Sequence, residues 1–143
     1  MKYLGDIIYG GQKQVWGKGV VTNGTVFLSG AEGIDPSTGK CAPDIETQTA
    51  VALGKVKNRL EEAGTNMDHI VKYVAYVVGR ENLNGYRSAR QSWMRENGQK
   101  SSPAYASTLV LVAGLARPDM LVEIDVTAEL PKPRQGRINA LAT

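Results

Sequence analysis

A chain of 143 residues, 42% of them apolar, is long enough to close one hydrophobic core. Its formal charge of +3 would fit a polyanionic partner, yet Lys132, Arg134 and Arg137 all lie in residues 131–143, where no acid occurs, and residues 1–130 hold as many acids as bases. That neutral body argues against nucleic acid. A single cysteine, Cys41, and a single histidine, His69, exclude an intrachain disulfide and a Cys/His zinc site within one chain. No stretch has the apolar length of a membrane span or a secretory leader, so a cytoplasmic protein with no membrane partner is expected.

In chain order, "GKGVVTNGTVFLSG" predicts two short strands joined at Asn23-Gly24, since Asn-Gly supplies the positive φ of a tight hairpin turn. "EGIDPSTGK" follows as turn chemistry on the surface. Asp44 suits an N-cap and Gly64 a stop, and between them Ile45, Thr49, Ala52, Leu53, Val56, Leu60 and Ala63 recur at helical spacing. "HIVKYVAYVVG" reads as a strand, Asn82 to Asn97 as a second helix, and 104–112 and 121–129 as two further strands joined through "GLARPD".

Side chains alternate across a strand, so Val122, Ile124, Val126 and Ala128 form an apolar face while Glu123, Asp125 and Thr127 look away from it. Two helices on one face of a mixed β-sheet make an α+β two-layer sandwich. The uncovered face and open sheet edges predict self-association. Residues 1–130 read as one domain, and "PKPRQGRINALAT", 131–143, as a basic C-terminal tail.

Three fragments carry a more specific signal: "FLSG" ahead of "IDPSTGK", "LEEAG" running through "MDHIVK" into a strand, and "VEID" in the last strand. With "SPAYAS" they resemble, in order and spacing over roughly residues 15–130, the RidA (YjgF) family of enamine and imine deaminases. The resemblance implies a chorismate-mutase-like fold and a homotrimer with ligand clefts between neighbouring subunits. It also implies a cofactor-free and metal-free hydrolase: water adds to the C=N of a small imine or enamine bearing a carboxylate, and ammonia leaves.

The sequence departs from the family where the substrate is gripped. The arginine that usually follows Pro-Ala is Tyr105, whose hydroxyl is neutral near pH 7 and offers one donor where a guanidinium offers a charged fork. The second-helix position often filled by asparagine holds Arg87, and Trp16 stands for the N-terminal tyrosine. Glu123 in "VEID" matches the glutamate thought to hold the attacking water. The catalytic candidates are therefore Glu123 and Tyr105, and the substrate-binding candidates Arg87, Arg90, Trp16, Ser29 and Ser107.

Each has a plainer reading. Glu123 fits a solvated strand position. Arg87 and Arg90 would serve equally in intersubunit salt bridges, although Arg87 has no acid at i±3 or i±4. Tyr105 could be packing, Trp16 an interface plug, and Ser29 and Ser107 structural hydroxyls. His69 lies at a strand end and Cys41 in a loop, so no serine-hydrolase triad can be assembled. The expected function is a RidA-type deaminase acting on a substrate other than the smallest aminoacrylates, with a non-catalytic trimer that binds a small metabolite as the alternative.

Overall fold

Asn23 and Gly24 both take positive φ, 49° and 75°, the geometry of a two-residue hairpin turn. They join β4 (Gly19–Thr22) to β5 (Thr25–Leu28), with Val21 opposite Val26. The computed structural model describes residues 1–100 and 104–133, which places most of the expected basic tail, and the first residues of "SPAYAS", outside the described residues.

Short strands β1 (Lys2–Tyr3), β2 (Asp6–Tyr9) and β3 (Gln12–Gly17) precede that hairpin, and β6 (Ala31–Glu32) follows it. Then come α1 (Ile45–Glu62), β7 (Ile70–Val78), α2 (Leu83–Glu96), β8 (Ala106–Val112) and β9 (Val122–Glu129). The main sheet runs β1-β4-β5-β9-β7-β8, with β6 also paired to β9. Among the described residues only β7 and β8 pair in parallel, α2 making the crossover between them. The sheet is thus mixed, and the architecture is the expected two-layer α+β sandwich.

α1 begins where Asp44 accepts from the Thr47 backbone N–H at 2.8 Å and from its hydroxyl at 2.7 Å, meeting one of the free donors of the first turn. It ends at Gly64, whose φ of +92° suits no other residue well. Ala52, Leu53, Val56 and Leu60 of α1 are at most 1% exposed, as are Val122, Ile124, Val126 and Ala128 of β9. Burial of this kind stabilises by roughly 1.5–3 kcal/mol per large side chain and fixes which face of β9 looks at the helices.

Fully buried Gln48 ties α1 to the approach of β9. Its amide donates to the carbonyls of Ala42 (2.6 Å) and Asp119 (2.9 Å), and its oxygen accepts from the Leu121 N–H (2.8 Å). The loop before Glu123 is therefore held by a helix side chain.

Two features differ from expectation. β2 and β3 form a separate two-stranded sheet that the sequence reading left unassigned. Gly10 and Gly11, at φ +55° and +80°, make its turn, and Ile7 and Tyr9 anchor it on Ile34 and Met120. The strand expected over 104–112 begins at Ala106, leaving Tyr105 just ahead of it, free of ladder pairing.

Candidate functional site

Glu123 points away from the helix layer, on the same face as its cross-strand neighbour Tyr76. It enters a cavity of about 580 Å³ whose walls include Tyr9, Trp16, Ser29, Gly30 and Glu32. Burial pushes the Glu123 carboxyl above the usual carboxylate range, and the charges of Glu32 and Asp125 push the same way. Gly30 lets it lie there: a β-carbon on Gly30 would fall on Glu123 Oε2. The Ser29 hydroxyl donates to the Gly17 carbonyl at 2.5 Å, which leaves its oxygen lone pairs toward the cavity as acceptors. Trp16 keeps 47% of its surface exposed at the rim, where an indole can meet a ligand.

Arg87, Arg90, Tyr105 and Ser107 line a different cavity, of about 480 Å³, together with Tyr73 and Tyr86. The Tyr105 ring stacks on Tyr73 with centroids 5.3 Å apart and planes 13° from parallel. The Arg90 guanidinium lies 5.2 Å from the Tyr73 centroid and donates to the Tyr105 hydroxyl. The Tyr73 hydroxyl is held in turn by that of Tyr86 at 2.6 Å. Arg90 is half-buried, in keeping with a place nearer the apolar stripe of α2, whereas Arg87 is exposed. Among the described residues Arg87 forms no salt bridge. A cation steadied on aromatic rings beside a second, unengaged guanidinium offers a carboxylate a charge-assisted grip.

Register decides how the two groups relate. Ser107 stands opposite Tyr73, and Tyr73 opposite Val126, so Ser107 shares the helix-facing side. Glu123 takes the other face. Within one chain the structure therefore brings Trp16, Ser29 and Glu123 together, brings Arg87, Arg90, Tyr105 and Ser107 together, and separates the two sets by the sheet. His69 ends a short 3-10 turn before β7, and Cys41, in its loop, has its thiol pushed up by burial. Among the described residues no three His, Cys, Asp or Glu side chains converge as metal ligands, and no helix is long and apolar enough to cross a membrane.

Sequence reasoning missed Tyr9, Gly30, Glu32, Tyr73 and Tyr86. Tyr9 and Glu32 carried no motif of their own. Gly30 had a usable signal, a glycine in the two-residue gap between strands, where it often marks close backbone approach.

A two-layer sandwich with ligand-sized cavities on both faces of its sheet defines a class of small α+β proteins, and comparison with known proteins narrows it. The family model described as Endoribonuclease L-PSP matches residues 12–130. The chain is 32% identical to a RutC family protein of Pyrococcus abyssi over 72% of its own length and 76% of that protein's. It superposes on YyfA of Yersinia pestis, a Rid family protein, with a TM-score of 0.76 and 26% identity, covering 90% of this chain and 98% of that one. TdcF of E. coli, solved with bound serine, gives 0.79 at 23% identity over 92% and 100% of the two chains, a likeness of fold. The chain belongs to the RidA/YjgF family, also described as Endoribonuclease L-PSP, and has its chorismate-mutase-like fold.

Proposed function

We propose that this protein is a cofactor-free deaminase that hydrolyses a small imine or enamine bearing a carboxylate, with Glu123 as its acid and base. The observation that carries the reading is the half-buried Glu123 carboxyl, its proton held more tightly than usual, facing a cavity of substrate size. In the protonated form it gives its proton to the imine nitrogen. As a carboxylate it then takes a proton from the water that attacks carbon, returns that proton to the amine, and accepts the proton of the new hydroxyl as ammonia leaves, so a keto acid remains and the carboxyl is protonated again.

In this reading Arg90 and Arg87 take the substrate carboxylate, Tyr105 orients Arg90, and Ser107, Ser29 and Trp16 complete the walls. Because the two cavities lie on opposite faces of one sheet, the working cleft forms between neighbouring copies in a homotrimer, the face bearing Glu123 on one chain meeting the Tyr105 side of the next. The bound serine of TdcF supports a small amino-acid-like ligand. The word endoribonuclease in the family description supports a second reading, cleavage of RNA, which the neutral body of residues 1–130 makes less favourable.

Ammonia release over a panel of freshly generated imino acids tests the proposal, with Glu123→Gln as the blank. Turnover by the natural chain and its loss in the variant are expected. Tight binding of a small carboxylate with no turnover on any substrate would leave the metabolite-binding reading, and RNA cleavage that survives Glu123→Gln would replace both.

A further inference from the structure

Behind Glu123 lies a buried ionic cluster that the reaction above does not use. Glu32 is 4% exposed and pairs directly with Glu123 across the β6–β9 ladder. Both line the same cavity. The Tyr9 hydroxyl donates to Glu32 Oε1 at 2.5 Å, and Lys55 Nζ sits 3.5 Å from the same oxygen. The Lys55 ammonium also donates to the Glu32 carbonyl (2.8 Å) and to the Tyr9 hydroxyl (3.0 Å), and lies 4.4 Å from the Tyr9 ring centroid. Arg59, 5% exposed, adds longer contacts to the Tyr9 hydroxyl (3.5 Å) and the Ser29 carbonyl (3.4 Å).

A phenol donor and an ammonium converging on one carboxylate oxygen suit its charged form and leave it little freedom to turn. With all its donors so engaged, Lys55 is not poised as a nucleophile. What the cluster delivers to the cavity is a fixed negative charge next to the one carboxyl expected to exchange protons.

We infer that Glu32 is a positioning residue for Glu123: clamped by Tyr9 and Lys55, it keeps the resting proton on Glu123. This rests on the deaminase reading for its purpose, and not for its physics. Two carboxylates side by side resist carrying two charges, and the Lys55 ammonium of α1 is directed at Glu32, so the proton resides on its neighbour. The groups facing Glu123 are Glu32 from β6, Asp125 from its own strand, Tyr76 from β7, Tyr9 from β2, and Arg117 from the loop before β9. Arg117 is already occupied by Asp119, its Nη2 lying 2.7 Å from Oδ2. The upward push that Glu32 exerts on Glu123 agrees with this arrangement.

The test is a pH titration of the Glu123 carboxyl carbon by NMR in the full chain labelled at glutamate, the resonance assigned by its loss in Glu123→Gln. Glu32→Gln should weaken proton binding at Glu123 severalfold, and Glu32→Asp, which keeps the charge, should leave it nearer the natural value. Because Glu32→Gln strands the buried Lys55 ammonium, the double variant Glu32→Gln/Lys55→Met is titrated beside it. It removes the stranded ammonium and should show a fall in the same direction. An unchanged Glu123 midpoint in the double variant overturns the inference. A midpoint that falls in a chain releasing no ammonia upholds it while sinking the deaminase proposal, since the titration needs no substrate.

Discussion

Two glycines three residues apart should answer the same substitution in opposite ways. At Gly30 an added β-carbon meets the tip of Glu123: it overlaps Oε2 and comes within 2.9 Å of the carboxyl carbon and 3.1 Å of Cγ. The obstructing group is the far end of a flexible side chain, so it swings aside for a rotamer cost of about 0.5–1.5 kcal/mol. For a domain of this size that lowers Tm by roughly 2–6 °C. The carboxyl, however, is displaced from the cavity floor, and a shift of about 1 Å at a reacting group costs on the order of a hundredfold in rate. At Gly33 the new β-carbon meets Gln48 itself, with Cα and Cγ each 2.7 Å away. The Gln48 side chain is held by three hydrogen bonds and its Cα belongs to the α1 backbone, so neither yields readily and overpacking of about 1–3 kcal/mol or more is expected. Thermal melts and ammonia-release kinetics on Gly30→Ala and Gly33→Ala settle the matter. Full turnover in Gly30→Ala would show that Glu123 does not need its position, and equal destabilisation in both would show that the side chain cannot swing.

Other outcomes follow from the same geometry. Arg90→Ala and Arg87→Ala should each raise KM about ten- to a hundredfold, the value of a charge-assisted carboxylate contact, and unchanged kinetics in either removes that arginine from the site. Tyr105→Phe keeps the ring on Tyr73 but releases Arg90, so weaker substrate binding is expected, and full activity would reduce Tyr105 to packing. Burial lowers the Lys55 ammonium to about 8, with Glu32 opposing the shift. A lysine that binds its proton less tightly when folded penalises the fold below that value and relieves it as pH rises toward the unfolded lysine's 10.4. Between pH 7.5 and 9.5 this should add about 2 kcal/mol of stability that Lys55→Met lacks, and parallel urea-denaturation profiles for the two chains would refute it.

The elements whose ends were marked by special residues were legible in the sequence. Asp44 and Gly64 bracketed α1 because they solve local backbone problems, and Asn23-Gly24 marked its hairpin for the same reason. Gly10-Gly11 offered comparable turn chemistry, but the short β2 and β3 around it mix polar and apolar residues and gave no period to read. Parity within β9 separated Glu123 from Val122 and Ile124 correctly. Parity in the expected strand 104–112 put Tyr105 beside Ser107, and the two line one cavity although β8 itself begins at Ala106. Which face of β8 corresponds to which face of β9 was not legible, because it depends on the register of β7 with both neighbours, a long-range pairing that no local residue announces. The clamp on Glu32 was invisible for the same reason, its members coming from β2, β6 and α1.

The placement of Glu123 and Arg90 on opposite faces of one sheet has a genetic corollary. If each working centre borrows one side from one polypeptide and the other from its neighbour, chains disabled in Glu123 and chains disabled in Arg90 fail separately yet rescue one another. Unfolded together in equal amounts and allowed to reassemble, such a mixture should recover about a quarter of natural activity, the fraction of junctions that draw an intact partner from each kind.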